Sequence, residues 1–196
     1  MLGRDHLIAN AATAAILFTG AATLAAQPAA SPVGALAPAA SAVLSAFTEY
    51  HSMPGSAVVG LGLVFFLVGT LLPDIDSERS LLGRCIHLPI EHRTWTHAIW
   101  FPLILAVAGF AFPPLWWAAL GYVLHLFWDS LSRGGVCWFY PFSRYVKYGS
   151  GAKVKRNHKL KVYGVGEASE YILTGVLVVV AIICVYLYFG GPVPWA

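Results

Sequence analysis

Gly121-Tyr-Val-Leu-His-Leu-Phe-Trp-Asp129, followed by Ser130-Leu-Ser-Arg-Gly-Gly-Val136, ends an apolar run on two polar side chains four residues apart. On an α-helix, at about 100° per residue, His125 and Asp129 sit about 40° apart on one face. An imidazole nitrogen and a carboxylate oxygen so placed can share one divalent cation. An Asp at the end of a membrane-depth helix is costly unless paired or ligated, so it marks a site. The competing reading has Asp129 capping or pairing locally, with His125 packed beneath it.

Composition supports the membrane setting of that run. The 196 residues are 58% hydrophobic and 11% charged, with a mean hydropathy of +0.70. An ordinary soluble domain carries about 25% charged residues. The chain therefore reads as one all-α, membrane-embedded domain over residues 1–196. Its seven Trp, nine Tyr and eleven Phe suit interfacial belts as well as helix packing. Cys85, Cys137 and Cys184 are odd in number and far apart, so neither a disulfide framework nor a thiolate zinc site is indicated.

About five crossings are expected. Leu7 to Ala26 is long and apolar enough to span, or alternatively forms a signal peptide behind Arg4. A Pro-, Ala- and Ser-rich stretch from Gln27 to Gly55 reads as a loop with a short helix near Ala39 to Phe47. Ser56 to Leu72 spans and ends in Pro73-Asp-Ile-Asp76. A helix from near His97, with Thr94 or Thr96 as cap, runs to Phe112. Pro113-Pro114 breaks it, and Leu115 to Asp129 returns. Tyr171 to Phe189 is the clearest spanning helix.

Parity then puts every polar cluster on one side of the bilayer. The starts of the first, third and fifth spans share a side with the ends of the second and fourth. Those positions carry His6, Asp74 and Asp76, His92 and His97, His125 and Asp129, and Glu167 and Glu170. All twelve Lys and Arg, from Arg4 to Lys161, fall on the same side. By the positive-inside rule that face is cytoplasmic and the C-terminus lies outside. The basic run Lys153 to Lys161 suits anionic headgroups; orientation alone accounts for it, and no nucleic acid is expected.

His and carboxylate donors converging at helix ends suit two or more zinc-type ions, with a position left for water. Two such ions can activate water and clamp a phosphoryl group. Asp74 or Asp76 would bridge them; the competing reading of this pair is a solvated turn. His92 and His97 would lie about 140° apart on one helix, so His97 is the better ligand, with His92 and Arg93 reaching in from the loop. Arg93 suits a phosphate oxygen, or an ordinary interfacial role. His51, His87 and His158 are read as incidental.

These blocks resemble the bacterial LexA-regulated, inner-membrane metal-dependent hydrolases. The resemblance runs through Asp5-His6-Leu7, Leu72-Pro-Asp-Ile-Asp76, His92-Arg-Thr-Trp-Thr-His97, Gly121-Tyr-Val-Leu-His125 with Asp129, Gly135-Val136, Trp138 to Pro141, and Gly166 with Glu170. Ser77 stands where the family often has His, and Ser132 where Thr is common. The ligand order is also similar to that of zinc-dependent phospholipase C and P1 nuclease, although a His four residues before the last Glu is missing.

The resulting expectation is a multi-pass inner-membrane hydrolase that cleaves a phosphoester, lipid or lipid-linked, with metal-activated water. His6, Asp74, His97, His125, Asp129 and Glu170 would hold zinc or manganese ions. Asp76 or His92 would complete the set or act as general base, and Arg93 would steady the phosphate. A transporter or channel, or a non-catalytic metal-binding membrane protein, are the alternatives.

Overall fold

A computed structural model describes residues 3–50, 53–78, 80, 82–86, 93–142, 145–147, 153–155 and 159–190. Among the described residues six α-helices dominate: α1 (Gly3–Ala25), α2 (Ala37–Thr48), α3 (Gly55–Leu71), α4 (Trp100–Ala108), α5 (Pro114–Leu131) and α6 (Ala168–Tyr188). A 3₁₀ segment, Leu72–Asp76, extends α3. One short antiparallel hairpin, β1 (Tyr145–Lys147) with β2 (Lys153–Lys155), is set with Val146 opposite Val154. Among the described residues, three segments are long and apolar enough to cross a membrane: Arg4–Ala25, Gly55–Asp76 and Ala168–Tyr188.

The α3–α5 interface is the centre of the bundle, and small residues make it close. A side chain at Gly69 would strike the Ala118 backbone, and one at Gly121 would strike the Phe66 carbonyl and Thr70. Such small-residue contacts are how helices approach where no hydrophobic effect drives them together. Beneath them, Ala14, Phe66, Trp117 and Leu124 form an apolar cluster joined by Phe18 and Phe47. The Trp117 indole donates to the Phe47 carbonyl at 2.9 Å, which ties α2 to α5. Asn10 on α1 donates to Thr70 Oγ1 and to the Gly121 carbonyl, both at 3.1 Å, and so joins α1, α3 and α5 in one buried node.

The α4 helix departs from the expected span between His97 and Phe112. Its nine residues reach about 14 Å at 1.5 Å per residue, well short of a hydrocarbon core of about 30 Å. Residues 93–99 form turns instead, because their backbone groups are engaged elsewhere. The Tyr122 hydroxyl donates to the Thr96 carbonyl, and the Ile99 amide donates to the Trp138 carbonyl at 2.9 Å. Neither Thr94 nor Thr96 caps α4; its N-cap is Ile99, with no side-chain bond.

The C-terminal end of α5 is closed by the chain that leads into α6. Leu160 and Val162 amides donate to the Ser130 and Leu131 carbonyls at 3.0 and 2.8 Å. The Tyr163 hydroxyl donates to the Trp128 carbonyl at 2.7 Å. Helix-end carbonyls, which have no partner within the helix, are thereby satisfied, and the end of α5 carrying Asp129 is held in place.

Candidate metal centre

Five of the expected ligands meet at one end of the bundle. His6 comes from the first turns of α1, Asp74 from the 3₁₀ extension of α3, and His97 from the turns before α4. His125 and Asp129 come from α5, one helical turn apart as their spacing requires. All are buried to within 1% of full burial except Asp74, whose side chain keeps 16% of its surface exposed.

The spacings among their donor atoms are informative. His97 Nε2 lies 3.4 Å from Asp129 Oδ2 and 3.7 Å from Asp74 Oδ1. His125 Nε2 lies 3.5 Å from Asp74 Oδ1 and 3.9 Å from Asp129 Oδ2. Direct N–H···O bonds fall at about 2.7–3.2 Å, so these four separations are too long for them. Ligand atoms held at about 2.0–2.1 Å around a tetrahedral ion lie roughly 3.3 Å apart. Imidazole nitrogens and carboxylate oxygens gathered in threes near this spacing could hold a divalent cation. The donors fall into two groups, His6–Asp74–His125 and His97–His125–Asp129, each within 4.8 Å.

The tautomers agree with that geometry. His125 Nδ1 lies 2.8 Å from the Thr70 carbonyl, which can only accept, so Nδ1 carries the hydrogen and Nε2 presents its lone pair. The His6 ring stacks on His125 at 3.8 Å between centroids, and His6 Nε2 lies 3.2 Å from Asp129 Oδ1. Burial pushes the His97 imidazole below its ordinary pKa, against the opposing pull of Asp129. That favours the neutral form, which a metal ligand needs.

The remaining expected residues sit around this centre. Arg93, at φ +62°, donates from Nη2 to Asp129 Oδ1 at 3.0 Å. Its Nη1 donates to Ser132 Oγ and the Gly135 carbonyl at 3.3 and 3.2 Å. The guanidinium is thus engaged with the carboxylate of a candidate ligand. Asp76 accepts from Thr96 Oγ1 and from the Arg93 amide and belongs to neither donor group. Glu170 is fully buried and accepts from the Gly166 amide at 2.5 Å; it too stands outside both groups. His92, like His51, His87 and His158, lies outside the described residues.

Two supporting residues carried no role in the sequence reading, and a third, Thr96, was read there only as a possible helix cap. Asn10 and Thr70 brace the helices below the site, and Thr96 links Asp76 to His97. The signal available for the first two was a polar side chain within an otherwise apolar span. Ser132, at the place where Thr is common, keeps the hydroxyl that takes part in the Arg93 network.

No curated protein and no solved structure matches the chain. The family model described as YdjM inner membrane protein matches residues 33–193, which takes in every residue of the centre except His6. With apolar helices of membrane-crossing length and most of its sequence matched, the chain belongs to the YdjM inner membrane protein family.

Proposed function

We propose that this inner-membrane protein is a metal-dependent hydrolase that cleaves a phosphoester, with a lipid or lipid-linked headgroup as its substrate class. The observation that carries the reading is the convergence of His97 Nε2 and His125 Nε2 on Asp74 Oδ1 and Asp129 Oδ2 at 3.4–3.9 Å, within two three-residue donor groups that share His125. The resemblance to metal-dependent hydrolases points the same way. When bound, a zinc- or manganese-type ion supplies Lewis-acid chemistry to water and to the ester.

The chain's own residues define the rest. Asp74, the ligand with exposed surface, marks the side from which a substrate reaches the centre. An apolar cavity of about 560 Å³, lined by Phe47, Ile99, Leu103, Phe110, Trp116 and Val123, runs along α4 and α5 and suits a hydrocarbon tail. One ion, rather than the two or more expected, accords with the donors. Both groups draw on His125, whose Nδ1 is committed to Thr70, so a single Nε2 serves them. Arg93 places a positive charge beside Asp129 Oδ1, where a second cation would be repelled.

Topology completes the proposal. The α4–α5 hairpin enters and returns as a pair in place of two of the five expected crossings, although α4 by itself does not reach across. Residues 93–99 and 129–135 stay on one face whether or not the Pro113 turn emerges on the other. The basic residues make that face cytoplasmic, with the C-terminus outside.

A second reading has an observation in its favour. His97, His125 and Asp129 are almost wholly buried, and closed four-ligand sites are commonly structural. Metal content by mass spectrometry on detergent-purified protein, with His125→Ala and Asp129→Ala beside it, separates the cases. Bound metal lost in both variants, with turnover of a phosphodiester or phospholipid lost alongside, supports the hydrolase. Metal retained in both variants rules out this centre. Bound metal whose removal unfolds the protein, with no turnover at high enzyme concentration, assigns the structural role.

A further inference from the structure

We propose that Thr96 and Asp76 act as positioning residues that orient His97 toward the ion; this rests on the metal reading above. The motif Asp74-Ile-Asp76 lies in a 3₁₀ segment, where successive residues turn by about 120°. Its two carboxylates therefore leave the backbone about 120° apart around the axis and serve different partners. Asp74 faces the Nε2 atoms of His97 and His125. Asp76 faces the other edge of the His97 ring, its Oδ2 lying 3.9 Å from Nδ1.

Thr96 fills the gap between them. Its hydroxyl has one hydrogen, donated to Asp76 Oδ2 at 2.6 Å. The same oxygen lies 3.0 Å from His97 Nδ1, where it can then only accept. His97 Nδ1 must therefore carry the hydrogen, which leaves Nε2 to the ion. A carboxylate–hydroxyl–imidazole chain thus does for His97 what the Thr70 carbonyl does for His125. Thr96 and Asp76 are both buried at 4% exposure, so water does not compete for these bonds. The chain is anchored at both ends. Asp76 also accepts from the Arg93 amide at 3.2 Å, and the Thr96 carbonyl accepts from Tyr122. Because the His125 support is a backbone carbonyl, His97 is the imidazole whose orientation side-chain substitution can release.

The test is zinc affinity of the full-length protein in detergent, measured by chelator competition, for wild type, Thr96→Val, Thr96→Ser and Asp76→Asn. Loss of an outer partner of a metal-bound His typically weakens binding 10- to 100-fold. Thr96→Val should fall by roughly that factor, and Thr96→Ser should bind nearly as wild type because it keeps the hydroxyl. The visible spectrum of the cobalt(II)-loaded protein should change in Thr96→Val and return in Thr96→Ser. Wild-type affinity in Thr96→Val, or equal weakening in Thr96→Ser and Thr96→Val, overturns the proposal while leaving the metal centre standing. Should Thr96→Val fail to fold, Asp76→Asn takes its place, and unchanged affinity there overturns it equally. Wild-type protein that binds no zinc or cobalt overturns the metal reading, and this inference with it.

Discussion

Arg93 reaches across 36 positions of sequence to place Nη2 3.0 Å from Oδ1 of Asp129. The carboxylate is buried and the guanidinium mostly so, at 1% and 17% exposure. Removing one partner of a buried pair leaves an uncompensated charge and costs about 3–5 kcal/mol. Arg93→Met should therefore destabilise metal-free protein by about 3 kcal/mol. An ion beside Oδ2 would still neutralise Asp129, so the zinc-loaded variant should lose less. Thermal unfolding in detergent, with chelator and with zinc, measures both. Equal losses in the two states would mean that no ion shares this carboxylate.

The closeness of α3 and α5 bears on the same ligands. Asp74 follows α3, and His125 and Asp129 sit on α5, so a wedge between these helices moves donors apart. Gly121→Ala puts a methyl group into the Phe66 carbonyl and Thr70. Overpacking of this kind costs about 1–3 kcal/mol, and zinc affinity should fall with stability. Gly60→Ala, also on α3, meets nothing within 4 Å and should change neither by much. Similar behaviour of the two variants in unfolding and zinc titration would argue against close packing at Gly121.

The same helices show what could be read from the sequence. Apolar runs placed α1, α3, α5 and α6 within a few residues of their observed bounds, because length and apolarity set a span with little help from context. The α4 segment was not legible. Its residues 94–99 carry threonines placed as helix caps, yet their backbone groups bond to Tyr122 and Trp138, partners that only the fold supplies. At the centre, His125 and Asp129 followed from helical spacing. Asp74 and Asp76 looked alike in sequence; the 3₁₀ turn separates them, and a two-residue spacing does not announce that turn. Arg93 read as a phosphate contact or an interfacial arginine because a sequence cannot show that the Asp129 carboxylate lies beside it.

The connection between α5 and α6 provides a test that needs no metal. Tyr163 is 1% exposed, and its hydroxyl donates to the Trp128 carbonyl at 2.7 Å. Burial, with smaller contributions from Asp129 and Glu170, raises the phenol above its ordinary pKa of about 10. The sign follows from linkage. The unfolded chain releases this proton as pH passes about 10 while the folded protein keeps it, so stability is full below that pH and falls above it. Tyr163→Phe should lose about 1 kcal/mol at neutral pH, the usual value of one hydrogen bond. It should also show a shallower decline between about pH 10 and 11.5. Chemical denaturation across that range compares the two proteins. Parallel declines would mean that Tyr163 titrates alike in the folded and unfolded states, and that its bond to Trp128 does not hold the end of α5.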